Sequence, residues 1–187
     1  MRDFILLSIC LLGTSSRAGD HGPFANSGRI VTVVQSYGGA GPHWTVWAVQ
    51  PERIVVYEQS GRSGISDKPL GETLLTSEQA QALRRAVAKI SPASKGRVWF
   101  SPDVSDGVVL SIHFTADGSD RDDDIALVNV WRPEFRDLCS CISSALPPKM
   151  KITFEEIIGR RADQPRLPVV SQSTKEYRAA SQPRREP

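Results

Sequence analysis

The sequence predicts an α+β fold: one antiparallel β-sheet of about five to seven strands with two helices packed on one face, in the order βββ(β)α-ββα-β. Three observations carry this expectation. Runs rich in Val, Ile, Thr and aromatic residues recur between residues 29 and 59, with links too short for a parallel crossover, so those strands pair antiparallel. A capping-box pattern at Thr76 opens an apolar stripe at helical spacing. A second strand, strand, helix series follows between residues 108 and 146.

The first three strands are Arg29–Ser36, His43–Gln50 and Arg53–Gln59, divided by the glycine-rich stretch 38–42 and by Pro51-Glu52. Residues 61–68 read as a loop, and Leu70–Leu75 adds a brief extended segment. The first helix has Thr76 as N-cap, Gln79 as its capping-box partner and Leu75 placed to staple on the first turn. Ala80, Leu83, Val87 and Ile90 share one stripe, and Ser91-Pro92 ends the helix because proline disfavours a helical residue before it. Val108–Phe114 alternates Leu110, Ile112 and Phe114 against Ser111 and His113, and Ile125–Trp131 is its apolar partner strand. Pro133 takes a first helical position, where its missing N–H costs nothing. Phe135, Leu138, Cys139, Ile142 and Leu146 then form one stripe until Pro147-Pro148 stops the helix. Residues 151–158 are a last strand or a short helix.

Arg2, the apolar run Phe4–Leu12 and Ser16-Arg17-Ala18 read as a secretory signal, residues 1–18, with a small-residue cleavage site. The run is far shorter than the roughly 20 residues that span a bilayer, so no transmembrane segment is expected in the mature chain. Export to a periplasm or the exterior follows. A lipoprotein anchored through Cys10 is the lesser alternative, because Ile9 is bulky where a small residue belongs. Residues 19–159 are expected to form a single α+β domain, with fourteen basic against seventeen acidic residues. Residues 160–187 carry seven basic against three acidic residues, four prolines and no periodic apolar face, and are expected to be a disordered basic tail. Those charges are spread rather than clustered, which points to no nucleic-acid partner. Signal cleavage leaves Cys139 and Cys141, whose spacing turns the side chains about 200° apart on a helix, so stability is expected to rest on an apolar core rather than a disulfide framework.

No catalytic or cofactor signature is present. The Gly38–Gly41 stretch runs into a strand rather than a helix and has no Lys-Ser or Lys-Thr after it, unlike a phosphate-binding loop. Ser63 lacks the second glycine of a nucleophile elbow. Asp117, Asp120, Asp122, Asp123 and Asp124 do not match a calcium-loop spacing and read as a solvated turn, so no metal is expected. His113 reads as an exposed strand histidine. Alternation puts His43, Thr45, Trp47 and Val49 on one face of the second strand and Trp44, Val46 and Ala48 on the other. The reading places Trp44 in the core and Trp47 outward, beside Gly39 and Gly41, so the candidate binding residues are His43, Thr45, Trp47, Gly39 and Gly41. The function expected is a small exported non-catalytic binding module without a cofactor: an inhibitor, an immunity-type protein or a cell-envelope accessory factor that contacts an unknown protein, a saccharide or another envelope component. The alternative is a small periplasmic hydrolase using His43 or His113 with an aspartate, drawn from Asp103, Asp106 or the 120–124 cluster.

Overall fold

Three long strands, β1 (Val31–Tyr37), β2 (His43–Val49) and β3 (Arg53–Ser60), form the antiparallel meander that the short links require. The computed structural model describes residues 29–37, 43–60, 68–101, 107–114, 124–159 and 169–181. The expected signal segment, Gly39, Gly41, Ser63, Asp103, Asp106 and the aspartates before Asp124 lie outside them. Five further strands are β4 (Gly71–Leu74), β5 (Arg97–Phe100), β6 (Val108–His113), β7 (Ile125–Val128) and β8 (Val170–Ser173). All eight join one sheet in the order β4-β3-β2-β1-β6-β7-β5-β8. Every neighbouring pair is antiparallel except β5 and β7.

Helix α1 (Ser77–Ala88) begins at the expected capping box, with Gln79 N donating to Thr76 Oγ1 at 3.2 Å and Thr76 N donating to Gln79 Oε1 at 2.9 Å. Helix α2 (Arg136–Ser144) follows a 3-10 turn at Pro133–Phe135, and the 151–158 region resolves as the short helix α3 (Phe154–Gly159). Leu83, Ala86 and Ile90 from α1, Leu138, Cys139 and Ile142 from α2, and Phe154 from α3 all pack on one face of the sheet. Beneath them lie Val33, Trp47, Val56, Leu110, Ile112 and Leu127. Each such side chain removed from water contributes about 1.5–3 kcal/mol, so this layer dominates the stability of the fold. The two long helices thus share one face, as the apolar stripes require.

The second face is also buried. Thr32, Val34, Val46, Ala48 and Val55 are all under one-tenth exposed on it. At its β5 end, Val98, Val109, Ala126 and Val128 form a smaller cluster with Phe100 and Tyr177. Tyr177 belongs to α4 (Thr174–Ser181), which therefore lies across the sheet from α1 and α2.

Helix α4 and strand β8 correct the expectation that residues 160–187 are disordered throughout. Val170–Ser173 pairs antiparallel with Phe100–Arg97, and the Tyr177 ring meets that of Phe100 at 5.4 Å. The segment docks mainly through backbone pairing, which needs no apolar period, so composition alone does not reveal it. Strand β7 ends at Val128, short of the expected Trp131, because Asn129 turns into the left-handed region at φ 57°. Asn129 Oδ1 accepts from Val108 N at 2.9 Å, and a side chain at Gly107 would collide with that amide.

Candidate functional site

Strand register stacks side chains of the helix-bearing face into rows. One row is Ile112, Val33, Trp47 and Val56; the next is Leu110, Gln35, Thr45 and Glu58; the last is Val108, Tyr37 and His43. Across β1, β2 and β3 the rows therefore change from apolar to polar and aromatic. Val33, Trp47 and Val56 are fully buried, whereas Tyr37, Thr45, His43 and Glu58 reach the surface. His43 Nε2 lies 3.1 Å from Glu58 Oε1, with the side chains 34% and 44% exposed, and the His43 ring centroid is 5.7 Å from that of Tyr37.

The chain from Met150 to Thr153 crosses the sheet where the rows change character. Met150 O accepts from Trp47 Nε1 at 2.6 Å, and the Met150 side chain lies over Gly71, where an added Cβ would meet Cε at 2.6 Å. Thr153 Oγ1 accepts from Gln35 Nε2 at 3.1 Å, and Gln35 Nε2 also donates to the Tyr37 hydroxyl. These bonds tie the polar end of β1 to the entry of α3.

Of the residues expected to bind, His43 and Thr45 sit in this cluster. Trp47 does not reach the surface: it is 1% exposed beneath the helices, so the expectation of an outward indole is overturned. Trp44 lies on the opposite face, half-buried and outside the core expected for it. Both alternating sets of β2 contain apolar residues, so alternation separates the tryptophans without saying which set meets the helices. Tyr37, Glu58, Gln35 and Thr153 were not among the expected residues. The first three follow from the β1-β2-β3 register; Thr153 has no signal in the sequence.

A second histidine also has a carboxylate partner. His113 Nδ1 lies 2.9 Å from Asp124 Oδ2, with the side chains 20% and 8% exposed, which replaces the expected exposed strand histidine by a largely covered one. An ionised carboxylate has no proton to give, so Nδ1 donates and Nε2 is left as the basic nitrogen. Thr32 is cross-strand to His113, and Thr174 Oγ1 donates to Asp124 O at 2.9 Å. This pair is on the second face, on β6 and at the start of β7, apart from the His43 row.

A groove of about 280 Å³ runs between α1 and α2, lined by Ala82, Arg85, Ala86 and Cys141 among others, with no histidine in its wall. Among the described residues, no three His, Cys, Asp or Glu side chains gather in a way that would hold a metal ion. Among the same residues, no helix is long and apolar enough to cross a membrane. No family model, curated protein or solved structure matches the chain.

Proposed function

We propose that the chain is a small exported, non-catalytic binding module, of inhibitor, immunity or envelope-accessory type, that meets its partner through the polar end of β1, β2 and β3. The observation that carries this reading is the change of rows within one face, from buried Val33, Trp47 and Val56 to surface-reaching Tyr37, Thr45, His43 and Glu58. A face that served only as a core would stay apolar or simply end; this one closes in an aromatic and charged patch of the kind that anchors contacts. Export rests on Arg2, the Phe4–Leu12 run and Ser16-Arg17-Ala18.

The test is capture from the native host with wild type, His43→Ala and Glu58→Lys, after thermal melting has shown that the variants fold alike. Each variant is expected to weaken partner binding by about 2 kcal/mol, roughly thirtyfold. Undiminished capture by both would remove the site. Intact mass of the exported material is expected to begin near Gly19, and retention of Met1 would remove the export component.

A second reading, a small hydrolase, is favoured by one observation, the His113–Asp124 contact. A covered carboxylate that holds Nδ1–H fixes the imidazole and leaves Nε2 as the nitrogen that would serve as base. Loss of a hydrolytic activity in His113→Ala, with partner capture unchanged, would support it.

A further inference from the structure

Among the described residues, the large aliphatic side chains that stand exposed are at the two outer strands of the sheet: Leu70 and Leu74 beside and within β4, Val169 and Val170 beside and within β8. Leu74, 73% exposed, is the most open of them. The backbone of its strand also faces outward. Leu75 N donates to Glu52 O at 2.8 Å, and bonding alternates along an antiparallel pair. Gly71 and Thr73 therefore bond toward β3, whereas the N–H and C=O groups of Glu72 and Leu74 point away from it. No strand lies beyond β4 among the described residues, and Glu72 and Leu74 are both exposed. Their side chains share the second face, opposite Val55 and Arg53, and Glu72 Oε2 is 3.3 Å from Arg53 Nη1. A chain laid along this edge meets two residues of outward backbone, a surface carboxylate and, two residues on, an open leucine.

That order of groups selects the occupant. A second copy pairing through its own β4 has two registers that keep the strands in contact, one centred on Glu72 and one on Thr73. The first sets carboxylate against carboxylate, which is destabilising. The second sets each Glu72 beside the other copy's Leu74, where a charge loses water and gains no partner. A strand with a basic residue opposite Glu72 and an aliphatic one opposite Leu74 satisfies both positions. We infer that β4 is a strand-addition site, which takes an extended segment of another protein whose side chains alternate basic and aliphatic along one face. Main-chain bonds to Glu72 and Leu74 hold the segment, and their side chains select it. This edge is separate from the polar patch: it is on the other face of the sheet and pairs with Arg53–Val56, whereas the patch takes Glu58 from the far end of β3.

The probe is a fluorescently labelled heptapeptide, Thr-Ile-Thr-Lys-Thr-Ile-Thr, palindromic so that it fits in either direction, titrated against the full chain by anisotropy. One control peptide has Glu in place of Lys, and another has its amides N-methylated so that it cannot pair with a strand. Saturable binding of the Lys peptide is expected, about tenfold or more tighter than the Glu peptide, with none of the methylated one. Glu72→Lys is expected to reverse the preference between the two charged peptides, and Leu74→Ser to weaken both about fivefold at unchanged melting temperature. Should Glu72→Lys not fold beside Arg53, Leu74→Ser and the peptide controls decide alone. His43→Ala is expected to bind the Lys peptide like wild type, which separates this edge from the patch. Absence of saturable binding, equal binding of all three peptides, or loss of binding in His43→Ala would overturn the inference. So would a wild-type dimer in sedimentation that Glu72→Gln strengthens, since a second copy would then take the edge.

Discussion

Trp47 joins three parts of the molecule. Its indole is buried under the helices, its Nε1 donates to Met150 O at 2.6 Å, and Met150 in turn lies over Gly71 of the edge strand β4. Trp47→Ala empties a core aromatic site and leaves a carbonyl unmet, so a loss of about 3–5 kcal/mol is expected. Trp47→Phe keeps most of the volume and isolates the lost hydrogen bond, at about 1–3 kcal/mol. Trp44 is half-buried on the second face, and Trp44→Ala is expected to cost clearly less than Trp47→Ala. Urea denaturation of the three variants decides the matter; an equal or larger loss at Trp44 would show that the second face carries as much of the core. The sequence contains the information that separates these residues, but only when β1, β2 and β3 are read together. Trp47 shares a row with Val33 and Val56, whereas Trp44 pairs with Ser36 and Gln59. A single strand with apolar residues in both sets is ambiguous, and the neighbouring rows resolve it.

Helices α1 and α2 are legible because their signals are local: a reciprocal cap at Thr76 and Gln79, and a proline that opens the turn before α2. Strand β5 is not, since Arg97–Phe100 is four residues long and its parallel partner β7 is remote in sequence. The stripe expected for α2 agrees with its burial at Phe135, Leu138, Cys139, Ile142 and Leu146. That burial makes α2 sensitive to alkali. It pushes the Cys139 thiol from an ordinary 9.0 up to about 12, with the charge of Glu155 acting in the same direction. The unfolded chain releases this proton near pH 9 while the folded chain keeps it, so the stabilising contribution is fully present below that pH and is lost as pH rises toward about 12. The stability gap between wild type and Cys139→Ala is therefore expected to narrow by about 2 kcal/mol between roughly pH 8 and pH 10.5. Paired urea titrations measure it, and a gap that does not change with pH would show that α2 admits water to the thiol.

The whole sheet is closed at one edge by residues that composition assigns to a tail. Asp124 is the joint: its carboxylate holds His113 at the end of β6, and its carbonyl accepts from Thr174 at the entry to α4. Thr174 N also donates to Gly96 O at 2.7 Å, just before β5, so the C-terminal segment is fastened to two strands at once. Proline content and basic charge describe residues 160–187 on average, and they average over Val170–Ser181, whose attachment depends on a free strand edge elsewhere in the molecule. The same dependence on distant partners hides Thr153 from the candidate site. Truncation after Gly159 would leave the β5 edge unpaired, expose the Phe100 ring and remove the buried Thr174 hydrogen bond. With about 1 kcal/mol for each satisfied buried hydrogen bond and about 1.5–3 kcal/mol for covering a large side chain, the expected loss is about 3 kcal/mol or more. In a domain of this size that lowers the melting temperature by roughly 10 °C. Tyr177→Ala and Thr174→Val are expected to give separate, smaller losses in the same assay. An unchanged midpoint after truncation would show that β8 and α4 rest on the sheet without stabilising it, and that the folded unit ends at α3.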